Sequence, residues 1–364
     1  MASKQTELVI ADLEHQIDLQ DYSNHVAALM LTLLNKVDAE LVAALMLLLA
    51  DLDRSTYRAA RLDSMLKDVR KINASVYAKV YGELDAELAE LAKYELDYQH
   101  ELFDTLKIKY KTNGVTARQV ANAAKSRPMQ GRLLNEWASG LEEGRARKVK
   151  DEIQKGIVEG KTNDEIVRKI RGTKAKDYKD GILEIGRRDA ENVVRTAVQH
   201  TAATGRDEFY AENEDILAAE QWVSTLDNRT SSPCRLRDGR RYTVGRHRPI
   251  GHAYPWGAGP GRFHFCCRST AIPILKGFEN EPLFGERATA NGPVNANVVY
   301  SDWLKRQPAV MQDSILGKMR GELLRKGKLN LTDLYNSKGQ YLSLEQLKKK
   351  NKSAFERIAG NANP

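Results

Sequence analysis

Trp222 to Pro273 reads WVSTLDNRTSSPCRLRDGRRYTVGRHRPIGHAYPWGAGPGRFHFCCRSTAIP, and it breaks with everything before it. Upstream, the chain is rich in Ala, Leu, Glu and Lys, the residues that cost a helix least. Within this stretch Pro, Gly and Arg are dense, and apolar residues stop recurring every three or four positions. Such a composition reads as strands and loops. Glu220-Gln221-Trp222-Val223-Ser224-Thr225 opens it as a strand. One strand-and-loop module in an otherwise helical chain makes the fold α+β, mainly α.

Toward the N-terminus the helical pattern is plain. Val26, Leu29, Leu33 and Val37 recur at helical spacing, as do Leu41, Leu45 and Leu48. Ser55 is placed to cap a second helix, carried by Leu62, Leu66, Val69, Ile72, Val76 and Val80, with Gly82 as a point of interruption. Long helices with a narrow apolar stripe suit a bundle or an oligomer contact. The apolar runs Val26–Leu34 and Leu41–Ala50 fall short of the ~20 residues of a spanning helix, so no membrane insertion is expected. After a break at Lys111-Thr112-Asn113-Gly114 come short helices, one opened by Thr162-Asn163-Asp164-Glu165 in capping-box order. A strong helix then spans about 182–211. Beyond Pro273 a linker leads to a basic helical tail from Tyr300. The expected division is therefore 1–114, a helical region for partner or oligomer contact; 115–181, a small helical region; 182–276, the module; 277–299, a linker; and 300–364, the tail.

The net charge is +8 over 364 residues, with a mean hydropathy of −0.54. Between Arg229 and Arg268 stand nine arginines: Arg229, Arg235, Arg237, Arg240, Arg241, Arg246, Arg248, Arg262 and Arg268. The one acid there is Asp238, so the local balance equals that of the whole chain. Arginine forks match phosphate and carboxylate geometry, and Tyr242, Tyr254, Trp256, Phe263 and Phe265 are interleaved with them. The pattern fits a nucleic-acid backbone with exposed bases, and equally an acidic protein face.

The three cysteines, Cys234, Cys266 and Cys267, are too few for a disulfide framework and point to a reducing compartment. The polar start, Met1 to Glu7, leads into no signal-like apolar core. His247, His252 and His264 share the cysteines' window. Thiolate and imidazole are the usual zinc ligands, but paired C-x-x-C knuckles are missing. The alternative is a loop-rich core in which Cys234 and Cys267 pack as small hydrophobes. A nucleophilic cysteine would need a base and an orienting group, and no such third member stands out, so no catalytic residue is assigned.

RTAVQHTAATGRDEFY, then WVSTLDNRTSSPCRLRDGRRY, then HFCCRSTAIP follow one another in order. They resemble the Mu F-like minor head, or head morphogenesis, family of tailed phages. Arg195-Thr196, Trp222, Asp227, Arg229-Thr230, Cys234, Asp238-Gly239, His264, Cys267 and Arg268 occupy the places of that family's motifs. The likeness runs from about Gly156 to Leu347, including YSDWLKRQPAVMQDSILGKMRGELLRKGKL. Three positions depart from the pattern. Ser231 replaces the first Cys of Cys-x-x-Cys, Cys266 replaces an Asn, and Ser269 replaces the final Cys. Any metal would then be held by His264 with Cys234 and Cys267. The resemblance implies a non-catalytic component of the virion interior that is in the host cytoplasm during assembly. Its partners would be the portal, other head proteins and double-stranded DNA, with roles in packaging or ejection. No cofactor is required, with zinc the one option. The contrasting readings are a DNA-binding accessory protein outside the virion, or a nuclease- or transferase-like enzyme built on the Cys/His module.

Overall fold

The computed structural model describes residues 3–52, 62, 64, 66–111, 114–282, 285–287, 289 and 292–360. Ser55 and the Thr112-Asn113 part of the expected break lie outside them. The fold is α+β and mainly α, as expected. Helix α1 (Lys4–Ala50) is a single helix with neither Gly nor Pro to stop it. Helix α2 (Lys67–Thr105) runs straight through Gly82, where an interruption was expected. A helical glycine costs only about 1 kcal/mol, and Gly82 is exposed with nothing packed on it, so the buried stripe prevails. Helices α3 (Ala117–Ser126), α4 (Leu134–Val158), α5 (Asn163–Arg171) and α6 (Ile182–Glu212) follow. The capping box forms at α5. Thr162 Oγ1 accepts from Glu165 N at 3.3 Å, and the Glu165 carboxylate accepts from Thr162 N at 2.7 Å.

These elements build two compact units. One comprises Asp21–Tyr94 and Ala117–Ala202 and is helical. Leu41, Leu45 and Leu49 of α1 pack in its core with Val149 and Ile153 of α4, Ile166 and Ile170 of α5, and Leu183 of α6. Its buried Arg145 pairs with Asp38, which also takes Arg187.

The other unit comprises Met1–Gln20, Glu95–Thr116 and Ala203–Pro364. It holds an antiparallel sheet of order β3-β2-β1-β4, from β1 (Leu217–Val223), β2 (Arg241–Tyr242), β3 (Pro249–Ile250) and β4 (Thr270–Leu275). The central strand begins three residues before the expected start and ends at Val223. It pairs with β4 through Trp222 opposite Ala271 and Glu220 opposite Pro273. The start of α1 closes the outer edge of β4. Gln5 Nε2 donates to Pro273 O at 3.0 Å, and Gln5 Oε1 accepts from Leu275 N at 2.8 Å. A buried polar layer joins α1, α2 and α6 within the same unit. His15 meets Glu95 at 2.8 Å, and the Tyr210 hydroxyl donates to Asp12 at 3.5 Å.

The stretch read as strands and loops contains a short helix, α7 (Ser232–Arg237), with Pro233 in its first turn, where the missing N–H has no cost. The stretch read as a linker contains a hairpin of β5 (Glu286–Arg287) and β6 (Val294–Asn295). The tail is helical, as α8 (Tyr300–Lys305), α9 (Ala309–Leu316), α10 (Lys318–Arg325), α11 (Leu344–Lys350) and α12 (Lys352–Gly360). Tyr300, Trp303, Leu304, Leu323 and Leu334 form its core. Among the described residues, no helix is long and apolar enough to cross a membrane.

Candidate functional site

The module is built around two carboxylates. Asp227 follows β1 and organises the next turn by accepting from Arg229 N at 3.0 Å and Thr230 N at 2.9 Å. Arg268 grips it with two bonds of 2.7 and 2.9 Å. Burial opposes ionisation of Asp227, but Arg268 and Thr230 outweigh it and hold the carboxyl below its ordinary range. Asp238 is buried and accepts from Ser224 N and Tyr300 N, both at 2.6 Å, and from Arg287 at 2.9 Å. It thus ties β1, the β5 strand and the start of α8 together. Gly239 after it has φ +76, and a Cβ there would lie 2.5 Å from Val299 Cγ1, so the Asp-Gly turn accepts no other residue without a shift.

Above this frame the structure brings Cys234, His264 and Cys267 together. Their ligating atoms all lie within 4.8 Å of one another. Cys234 Sγ is 3.8 Å from Cys267 Sγ and 3.4 Å from His264 Nε2. With Zn–S near 2.3 Å and Zn–N near 2.0–2.1 Å, a tetrahedral zinc would set these edges at about 3.8 and 3.5 Å. His264 Nδ1–H donates to the Phe265 carbonyl at 2.8 Å, which turns Nε2 toward the sulfurs. The thiols are an asymmetric pair. A hydrogen bond from Cys234 holds the Cys267 thiol well below its usual range, aided by His264. That same contact, with burial, pushes Cys234 up. Trp222, Trp256 and Phe263 pack over the sulfurs.

The two serines that replace cysteines of the resembled pattern belong to this site. Ser231 and Ser269 both act on the Cys234 thiol. Ser231 Oγ is buried and accepts or donates no other hydrogen bond. The donor set therefore fits a zinc ion with three protein ligands and a hydroxyl or water in the fourth place. Cys266 stays out of the cluster at φ +53, a left-handed conformation that Asn adopts with less strain, which accounts for the Asn in the resembled pattern. His252 also stands apart, its Nε2–H donating to Arg241 O at 3.0 Å.

The nine arginines do not share one face. Arg237 is buried, donates to Pro255 O and Pro233 O, and lies over the Phe263 ring at 4.5 Å. Arg235 is buried and donates to Thr230 O and Ile315 O. Arg262 is buried and pairs with Asp207. Arg268 holds Asp227, Arg241 donates to Glu279 O at 2.6 Å, and Arg240 lies over Tyr254. Arg229, Arg246 and Arg248 are exposed. A second convergence, Asp207 with Glu220 and His247, went unnoticed in the sequence because its members sit on a helix, a strand and a turn with no motif spacing between them.

No curated protein and no solved structure matches the chain. Residues 147–272 match the family described as Phage Mu protein F like protein. The match opens in α4, takes in α5, α6 and the module, and stops within β4, short of the tail that the resemblance had included. All the motif positions from Arg195 to Arg268 lie inside it. Over this region, about a third of its length, the chain is similar to the Mu F-like family.

Proposed function

We propose that the protein is a minor head protein of a tailed phage, non-catalytic, residing inside the capsid and bound to the portal. In this reading its module is a rigid docking element stapled by zinc, and it contacts the DNA that passes through. The observation that carries the reading is the Mu F-like match with Cys234, His264 and Cys267 converged inside it. Zinc would tie α7 to the loop before β4. The covering rings of Trp222, Trp256 and Phe263 suit a staple better than a reacting centre, since they exclude substrate from the sulfurs. Structural zinc contributes folding free energy directly.

Mass spectrometry of purified virions and procapsids tests the location, and co-purification with the portal tests the partner. The expected result is a few copies per particle, retained with the portal. A protein confined to the infected-cell lysate and bound to DNA would instead make it an accessory factor. Metal analysis tests the staple. One zinc per chain is expected, lost in Cys267→Ser with a lowered melting temperature. Full zinc content in that variant would remove the staple from the reading.

A further inference from the structure

We propose that Asp207, Glu220 and His247 form a second divalent-metal site, independent of the sulfur cluster. Their ligand atoms lie within 4.8 Å of one another, two of the residues buried and the third half-buried. Each comes from a different, well-held element. Asp207 is near the end of α6. Glu220 lies in the middle of β1, opposite Tyr242 of β2 on one side and Pro273 of β4 on the other. His247 sits in the turn between β2 and β3, its N–H donating to Thr243 O at 2.9 Å and its ring stacked on Trp256 at 4.5 Å with an interplanar angle of 1°.

Two observations separate this cluster from an ordinary buried ion pair. Glu220 is fully buried; its Oε1 has His247 as ion-pair partner, while its Oε2 accepts no hydrogen bond. An unsatisfied buried carboxylate oxygen is costly, and a cation is the ligand that relieves it. Second, His247 Nε2 pairs with Glu220 Oε1 at 3.2 Å, and Asp207 brings another carboxylate within 4.8 Å of that pair. Two donor atoms at the spacing of that pair are also as far apart as neighbouring ligands of one ion. Arg262 fixes Asp207 through one oxygen and reaches Thr204 Oγ1 at 3.2 Å, the kind of outer contact that orients a ligand. Burial pushes the Glu220 carboxyl up despite the pull of His247.

Two carboxylates and one imidazole are hard-to-borderline donors that accept Mn²⁺ or Zn²⁺. Thiolates take Mn²⁺ poorly, so Mn²⁺ discriminates between the two sites. Electron paramagnetic resonance of the free ion, titrated with the full-length protein, should show one Mn²⁺ bound per chain. Glu220→Gln and His247→Asn should each weaken binding at least tenfold, while Cys267→Ser leaves the titration unchanged. A free-ion signal unaffected by the wild-type protein, or either variant binding as the wild type does, would overturn the site. Should a variant fail to fold, the wild type decides. Its melting temperature should rise with Mn²⁺ concentration, and a melting temperature indifferent to Mn²⁺ overturns the proposal as well.

Discussion

Ser231 and Ser269 are the residues at which this chain differs from the thiolate pattern it otherwise follows, and both lie against Cys234. A hydroxyl is a weaker zinc ligand than a thiolate. Ser231→Cys should therefore raise zinc affinity at least tenfold, about 1.4 kcal/mol. Competition against a chromophoric chelator measures it, and an unchanged affinity would place residue 231 outside the coordination sphere. Cys266 carries a different expectation. Left-handed backbone costs an ordinary side chain about 1–2 kcal/mol, and Asn escapes part of that. Cys266→Asn should raise the melting temperature by roughly 2 °C without altering zinc content. At this scale the sulfur cluster was legible because Cys and His are scarce, with three and seven in the chain. Glu220 was not, because one glutamate among 49 acids carries no mark of burial until β1 is placed at the centre of a sheet.

Among the elements, the layer shared by α1, α2 and α6 has a pH signature. Burial raises the Asp12 carboxyl from 3.8 to about 7, with Arg206 and His15 opposing it. The folded protein then keeps this proton up to about pH 7, whereas the unfolded chain releases it near pH 4. Stability from this group falls as pH climbs from about 4 to 7 and is level above that. A shift of this size is worth at most ~4 kcal/mol. Asp12→Asn should accordingly stabilise the protein at pH 8 by a few kcal/mol and add little at pH 5. Urea titrations at both pH values check it, and an equal effect at both would refute the assignment. The helices themselves were readable from periodicity and caps, since Thr162 and Gly172 bracket α5 as expected. The short α7 was not, since six residues are too few to show a period. Nor was the β5–β6 hairpin, whose Arg287 is held by the distant Asp238.

For the molecule as a whole, basicity and nucleic-acid contact separate. Nine arginines meeting phosphates would give a salt slope near −8, but the three exposed ones support only about −3. Changing Arg229, Arg246 and Arg248 together to Gln should reduce the slope of DNA affinity against salt by about that amount. Fluorescence anisotropy with duplex DNA from low to moderate salt measures it. An unaltered slope would move the contact to the lysine-rich tail around Lys348, Lys349 and Lys350. The composition alone had shown charge but not its availability, because burial of Arg235, Arg237 and Arg262 depends on neighbours far along the chain.

The unit carrying the sheet is assembled from three separated stretches, with Met1–Gln20 at its beginning and Ala203–Pro364 at its end. During translation, the first stretch must therefore wait for the last. At ~5–20 residues per second the interval is roughly 10–40 s. Until β4 emerges, Gln5 has no strand edge to seal and the apolar side of α1's first turns stays open to chaperones. The 21–94 and 117–202 unit has all of its chain by residue 202 and can close first. Ribosome-stalled chains halted near residue 240, which keep the last ~30 residues in the exit tunnel, should resist protease across that unit while remaining cleavable before residue 20. Minor sequence changes in the first 20 residues would then act on the yield of folded protein long before they touched any site.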